Sequence, residues 1–160
     1  MIQLYYSFIF PYLYYCNLSW GNAADSILWP IFRNQKIALR LISNTPRRCS
    51  TIDFCNKFQI FRLPDIHRLT IGLFMYKYHH RLLPQIFMIF FTKNQDTHSY
   101  QTRNAAKLRT PLFKTQLGTN FIKNTGVNFW NILGSTNTTT TKIGTFKNHL
   151  KKYINSTTSP

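Results

Sequence analysis

The stretch Leu63–Pro84, LPDIHRLTIGLFMYKYHHRLLP, constrains the fold of this 160-residue chain more than any other. Its apolar residues recur at helical spacing on two stripes. Ile66, Leu69, Leu73 and Tyr76 form one; Ile71, Phe74, Tyr78 and Leu82 form the other. Thr70, Lys77 and Arg81 lie between them on one side, and Arg68, Gly72 and His79 on the other. A helix with one apolar face lies on a core, whereas one with two must be covered from both sides. Pro64 suits a first turn, and Asp65 suits the positive N-terminal end. His79, His80 and Arg81 suit the negative C-terminal end, and Pro84 stops the helix. The spacing predicts a mainly α fold: a small helical bundle around a central helix near residues 64–82.

Charge limits what surrounds that bundle. There are 20 Lys and Arg against 4 acids, all of them Asp, for a net charge of +16. Such a charge repels itself unless an anion lies against it. RNA, DNA or an RNA–DNA hybrid is the expected partner, with an anionic membrane surface second. Cys16, Cys49 and Cys55 are odd in number with no secretory signal before them, which suits a reduced nuclear or cytoplasmic setting. Cys49 and Cys55 are too far apart for a zinc knuckle, and adjacent His79 and His80 point about 100° apart on a helix. No metal or cofactor is expected.

The reading excludes catalysis by this chain alone. Metal-dependent polymerases and nucleases need converging carboxylates. Asp25, Asp53 and Asp65 stand at predicted helix starts, which leaves Asp96 by itself. There is no phosphate-cradling glycine loop and no nucleophile elbow.

Residues 1–24 carry no charge. They are long enough to suggest a membrane span, but many Tyr residues, Gln3, Asn17, Ser19 and Pro11 argue against one. They read instead as an inner helix, apolar on all sides. A second helix is predicted from Asp25 to Ser43, capped by Asp25 or Ser26, with Pro30 in its first turn and Leu28, Ile31, Phe32, Leu39 and Ile42 inward. Ser50 and Asp53 are spaced as a capping box for a short helix, Thr51–Phe58, with Ile52, Cys55 and Phe58 inward. Gln85–Phe91 reads as a short apolar helix. Composition divides the chain into residues 1–91, a basic extended linker or strap at 92–117, and a small C-terminal segment at 118–160. In that last segment Phe121–Ile122 reads as a strand turned by Asn124–Gly126, and Val127–Leu133 as a helical turn. A Thr-rich loop follows, then an amphipathic helix near 143–154 that buries Ile143, Phe146, Leu150, Tyr153 and Ile154.

Spaced patterns occur in one order: LYYSFIFPYLYYCNLSWG at Leu4–Gly21, QKIALRLI at Gln35–Ile42, DIHRLTIGLFMYKYHHRLLP at Asp65–Pro84, HSYQTRNA at His98–Ala105, GVNFWN at Gly126–Asn131 and TFKNHLKKYI at Thr145–Ile154. This set resembles the C-terminal, post-catalytic region of the reverse transcriptase of jockey-like non-LTR (LINE-type) retrotransposons. The likeness covers nearly the whole chain. It implies that residues 1–91 are a thumb-like bundle, that the chain holds nucleic acid, and that the catalytic aspartates lie upstream in a polymerase domain that is itself a potential partner. The chain departs from the family pattern at Val127 and at Ile132-Leu133-Gly134. A fragment, or a reading frame left by a decayed element, is the expected origin.

The candidate contacts follow. Arg33, Lys36 and Arg40 share one helix face, with Arg47 and Arg48 in the loop after it, and no acid stands at i±4 to pair with them. His98, Tyr100, Thr102 and Arg103 form a second set, in which Tyr100 can stack on a base and Arg103 can bind phosphate. Lys147, Lys151 and Lys152 form a third on the last helix. The function expected is a non-catalytic nucleic-acid-binding tail. The alternatives are an inactive structural or protein-interaction remnant, and a membrane-anchored basic protein.

Overall fold

A computed structural model describes residues 2–97, 103–134, 140 and 142–158. They form a mainly helical protein; among them there is no strand, only an isolated antiparallel bridge between Lys93 and Leu108. Packing divides the chain into two units, Met1–Thr70 and Ile71–Pro160. The compositional boundaries at 91 and 117 do not coincide with this division.

In the first unit, residues 2–20 are helical but broken. α1 (Ile2–Leu4) widens into a π-turn at Tyr5–Ile9, and α2 (Phe10–Tyr14) follows. Pro11 has no N–H to continue the ladder, and the turn before it is the widened one. Cys16, left-handed at φ 48°, separates α2 from α3 (Asn17–Trp20). The expected all-round burial is corrected. Tyr5, Leu13, Asn17 and Gly21, spaced at multiples of four, face inward. Leu4, Phe8, Tyr12 and Tyr15 form an exposed stripe, with Tyr12 80% accessible.

α4 (Asp25–Ser43) has the predicted bounds. Its start differs: Ala24 is the N-cap, no side chain caps it, and Pro30 falls in the second turn. Leu39 is buried as expected, but Leu28, Ile31, Phe32 and Ile42 are only half-buried. The most deeply covered residue besides Leu39 is Gln35, which is polar and 2% exposed. Its Nε2 donates to the Tyr5 hydroxyl (2.8 Å) and the Phe61 carbonyl (2.9 Å), and its Oε1 accepts from the Leu63 N–H (2.9 Å). That last bond satisfies an N–H left free at the start of α6 (Leu63–His79).

α5 (Ile52–Phe58) begins one residue later than expected. Thr51 is its N-cap, so Ser50 sits too early for a capping box and accepts from the Ile52 N–H instead. Cys55 faces inward beside Phe54, while Ile52 and Phe58 are exposed. Tyr5, Leu39, Cys55 and Ile60 form the core of this unit, with Ile9, Phe10 and Ile42 against them. A second polar knot joins α3 to α6. Asn17 Oδ1 accepts from Thr70 Oγ1 (3.3 Å) and shares a 3.0 Å hydrogen bond with His67 Nδ1, and Asn17 Nδ2 donates to the Leu13 carbonyl (2.9 Å). Gly21 is buried where a Cβ would collide with His67 and the Asn17 backbone.

The second unit begins within α6. Leu73 and Tyr76 are buried, as is Met75, which belongs to neither predicted stripe. α6 ends at His79 and Arg81 turns left-handed, so Leu82, expected on the second stripe, is exposed. The apolar helix expected at Gln85–Phe91 is a single 3₁₀ turn, Gln85–Phe87. Ile86 and Ile89 face out, and Phe91 packs inward against the Phe74 and Tyr78 rings.

In the segment expected to run extended over 92–117, the described residues 92–94 pair with 107–109. Arg109 N–H donates to the Thr92 carbonyl (2.8 Å) and Asn94 N–H to the Lys107 carbonyl (3.0 Å). α7 (Gln116–Asn120) follows, with Thr115 Oγ1 accepting from the Gly118 N–H. The expected strand at Phe121–Ile122 and turn at Asn124–Gly126 are absorbed into α8 (Ile122–Leu133). Gly126, Val127, Trp130 and Leu133 share its inner face, a helical spacing that overrides the local turn signal. α9 (Ile143–Thr158) runs longer than predicted. It buries Phe146, Leu150 and Ile154, while Tyr153 is half-buried and Ile143 is exposed. Tyr76 stacks on Phe146 with ring centroids 4.4 Å apart, and Trp130 lies 6.1 Å from Phe146. Gly72 leaves room for Leu150: a Cβ there would sit 2.5 Å from Leu150 Cδ2.

Candidate nucleic-acid interface

α4 carries the first predicted set. Residues 33, 36 and 40 recur at i, i+3 and i+7, which places them on one side of a helix. Arg33 is exposed, and Lys36 and Arg40 are half-buried. Lys36 Nζ rests over the Phe32 ring at 4.1 Å and lies 5.4 Å from the Trp29 ring. Arg40 Nε donates to the Cys49 carbonyl at 3.0 Å. Two of the three cations are thus steadied by the protein without being neutralised by a carboxylate.

The loop after α4 brings Arg47 beside Arg40. Asn44, left-handed at φ 52°, ends the helix, and the Thr45 N–H donates to the Arg40 carbonyl at 3.1 Å. A cleft of about 330 Å³ results, with Arg40 and Arg47 at its edge, Ile37 and Leu41 as apolar wall, and Asn44 and Thr45 between. The negative end of α4 offsets part of the arginine charge here. Arg48 is exposed next to Arg47. None of these five cations pairs with a carboxylate among the described residues. The acid that is paired is Asp65, buried between Arg62 (3.2 Å) and Arg68 (3.9 Å).

Of the second predicted set, His98, Tyr100 and Thr102 lie outside the described residues. Arg103 is exposed in a turn. Of the third, Lys147 and Lys152 are exposed on α9, and Lys151 is half-buried.

Two features went unforeseen. Trp29 is 59% exposed and continues the Arg33–Lys36–Arg40 row backward by four residues, so an aromatic surface adjoins the cations. The i+4 and i+7 spacing from Trp29 is the signal that could have found it. Lys123, held 4.6 Å over the Phe90 ring, joins residues far apart in sequence and has no local signal.

Burial shifts several groups in directions that limit chemistry. It pushes the Tyr5 hydroxyl up to about 12, against the lowering effect of the Gln35 hydrogen bond. It raises the Cys55 thiol, keeping it protonated, and lowers His67 below its ordinary value. Cys16 and Cys49 are exposed and free. Among the described residues no three His, Cys, Asp or Glu converge as a metal would require, and no helix is long and apolar enough to cross a membrane. The arrangement can hold phosphate by charge and offer an aromatic face beside it. No protein-family model, curated protein or solved structure matches this chain.

Proposed function

We propose that the chain is a non-catalytic nucleic-acid-binding module, the tail of a retroelement RNA-directed DNA polymerase whose active site lies outside it. One observation carries the binding part: Arg33, Lys36 and Arg40 form a row continued by Arg47 and Arg48, with no described carboxylate to neutralise it. The origin rests on the resemblance carried by the ordered segments from Leu4 to Ile154. The cations bind phosphates of RNA, DNA or a hybrid, and such contacts set position and carry no base information. The upstream polymerase domain is the protein partner in this reading.

A second reading, a protein-interaction remnant, is favoured by the exposed Leu4, Phe8, Tyr12 and Tyr15 stripe, because apolar surface of this kind marks a contact with another macromolecule. The test that separates the two is the salt dependence of nucleic-acid affinity, compared between the wild-type chain and the variant R33A/K36A/R40A. Binding that weakens on every sequence alike in the variant supports the first reading. An unchanged affinity removes α4 as the contact surface.

A further inference from the structure

The second unit holds an open groove of about 730 Å³, within the roughly 300–1,000 Å³ that ligand sites occupy. Its walls are Ile89, Phe90 and Leu112, and its cations are Arg109 and Lys123. No acid lines it. Ile89 is 81% and Leu112 100% exposed, so both offer apolar surface that none of the described residues covers.

The cations are placed by the fold. Asn131 on α8 binds both backbone groups of Leu108, accepting from its N–H and donating to its carbonyl at 2.9 Å. Thr110 Oγ1 donates to Asn128 Oδ1 at 3.2 Å. Arg109 therefore sits on backbone anchored to α8 on both sides, and its Nη1 donates to Thr97 Oγ1 at 3.3 Å. Lys123 stands in the first turn of α8, where the helix's positive end disfavours a cation and no acid compensates. The Phe90 ring beneath its ammonium offsets part of that cost. An anion in the groove would satisfy Arg109, Lys123 and the helix end together.

We infer that this groove binds single-stranded nucleic acid, with phosphate on Arg109 and Lys123 and an unpaired base covering Ile89 and Leu112. The inference rests on the nucleic-acid reading above and adds a preference to it. A duplex keeps its base faces stacked and cannot cover these side chains, whereas single strands combine phosphate contacts with base burial.

The test uses the full chain and two labelled probes at fixed low salt: an oligothymidylate of about ten nucleotides and a duplex of the same length. The charge-neutral variant I89S/L112S changes two exposed side chains. It should weaken single-strand binding about tenfold and leave duplex binding as it was. The variant R109A/K123A should lower the single-strand salt slope by about 1.4, at roughly 0.7 per phosphate contact. Unchanged single-strand affinity in both variants overturns the groove. So does an equal loss on duplex and single strand, or a wild-type chain that binds duplex alone. A chain that binds neither probe overturns the groove and the α4 reading together.

Discussion

The two units bury their centres by different means. Around α4 the middle of the first unit is a polar side chain: Gln35 links Tyr5, the Phe61 carbonyl and the Leu63 N–H, and Asn17 ties His67 to Thr70 nearby. The second unit closes on rings and aliphatics, with Tyr76 stacked on Phe146, Trp130 beside it, and Leu150 seated at Gly72. A polar centre costs desolvation unless every group finds a partner, and in return it fixes one arrangement. An apolar centre is cheaper to assemble and tolerates exchange of similar shapes. The first unit should therefore fail when a hydrogen bond is removed, and the second when volume is removed.

The largest expected effect is on the apolar side. Phe146→Ala empties a fully buried ring site between Tyr76 and Trp130 and should cost about 3–5 kcal/mol in denaturant unfolding. A loss under about 1 kcal/mol would mean that α9 does not pack as described. Gln35→Leu comes next. It keeps the volume but strands the Leu63 N–H and takes the Gln35 bond from the buried Tyr5 hydroxyl, at about 1–3 kcal/mol. A neutral or stabilising result would erase the contrast between the units, since it would show that the first unit accepts an apolar centre.

The smallest effect is on pH. Burial lowers the His67 pKa, so the unfolded chain binds a proton more readily than the folded one. Stability from this group is complete above its ordinary value of 6.5 and declines as pH falls toward the folded value. The denaturation midpoint should drop as pH falls through the ordinary value of 6.5, and His67→Asn should reduce that dependence. His79 shifts the same way, from burial first and then from His80 and Lys93, but it is exposed and contributes less. A His67→Asn variant with the wild-type pH profile would remove His67 from the polar knot.

The same contrast explains what the sequence made legible. The starts of α4 and α6 were readable because Asp25, Pro64 and Asp65 stand there, whereas α6 stops at His79, short of the expected end near residue 82. On α9 the spacing of Phe146, Leu150 and Ile154 told the buried face directly. Apolar spacing misled in the first unit. Sixteen per cent of the residues are aromatic, more than this core takes up, and the surplus faces out at Phe8, Tyr12 and Tyr15. Gln35 stands between Asn34 and Lys36 with no local signal for burial, and its distant partners Tyr5, Phe61 and Leu63 put it inside. The α4 cation row was legible because one helix carries it. That Lys36 lies over Phe32, and that Arg40 reaches Cys49, depends on rotamers and on a loop that no spacing encodes. The groove between Ile89 and Lys123 is assembled from three separate stretches, so no single stretch announces it.

The account depends most on the cations of α4 and its exit loop meeting phosphate. The direct measurement is duplex affinity for the full chain across a range of salt. Contacts from Arg33, Lys36, Arg40, Arg47 and Arg48 predict a log–log slope of about −4.5, shallower by about 2.7 in R33A/K36A/R40A. No measurable binding at low salt, or a slope that the triple variant leaves unchanged, would contradict it.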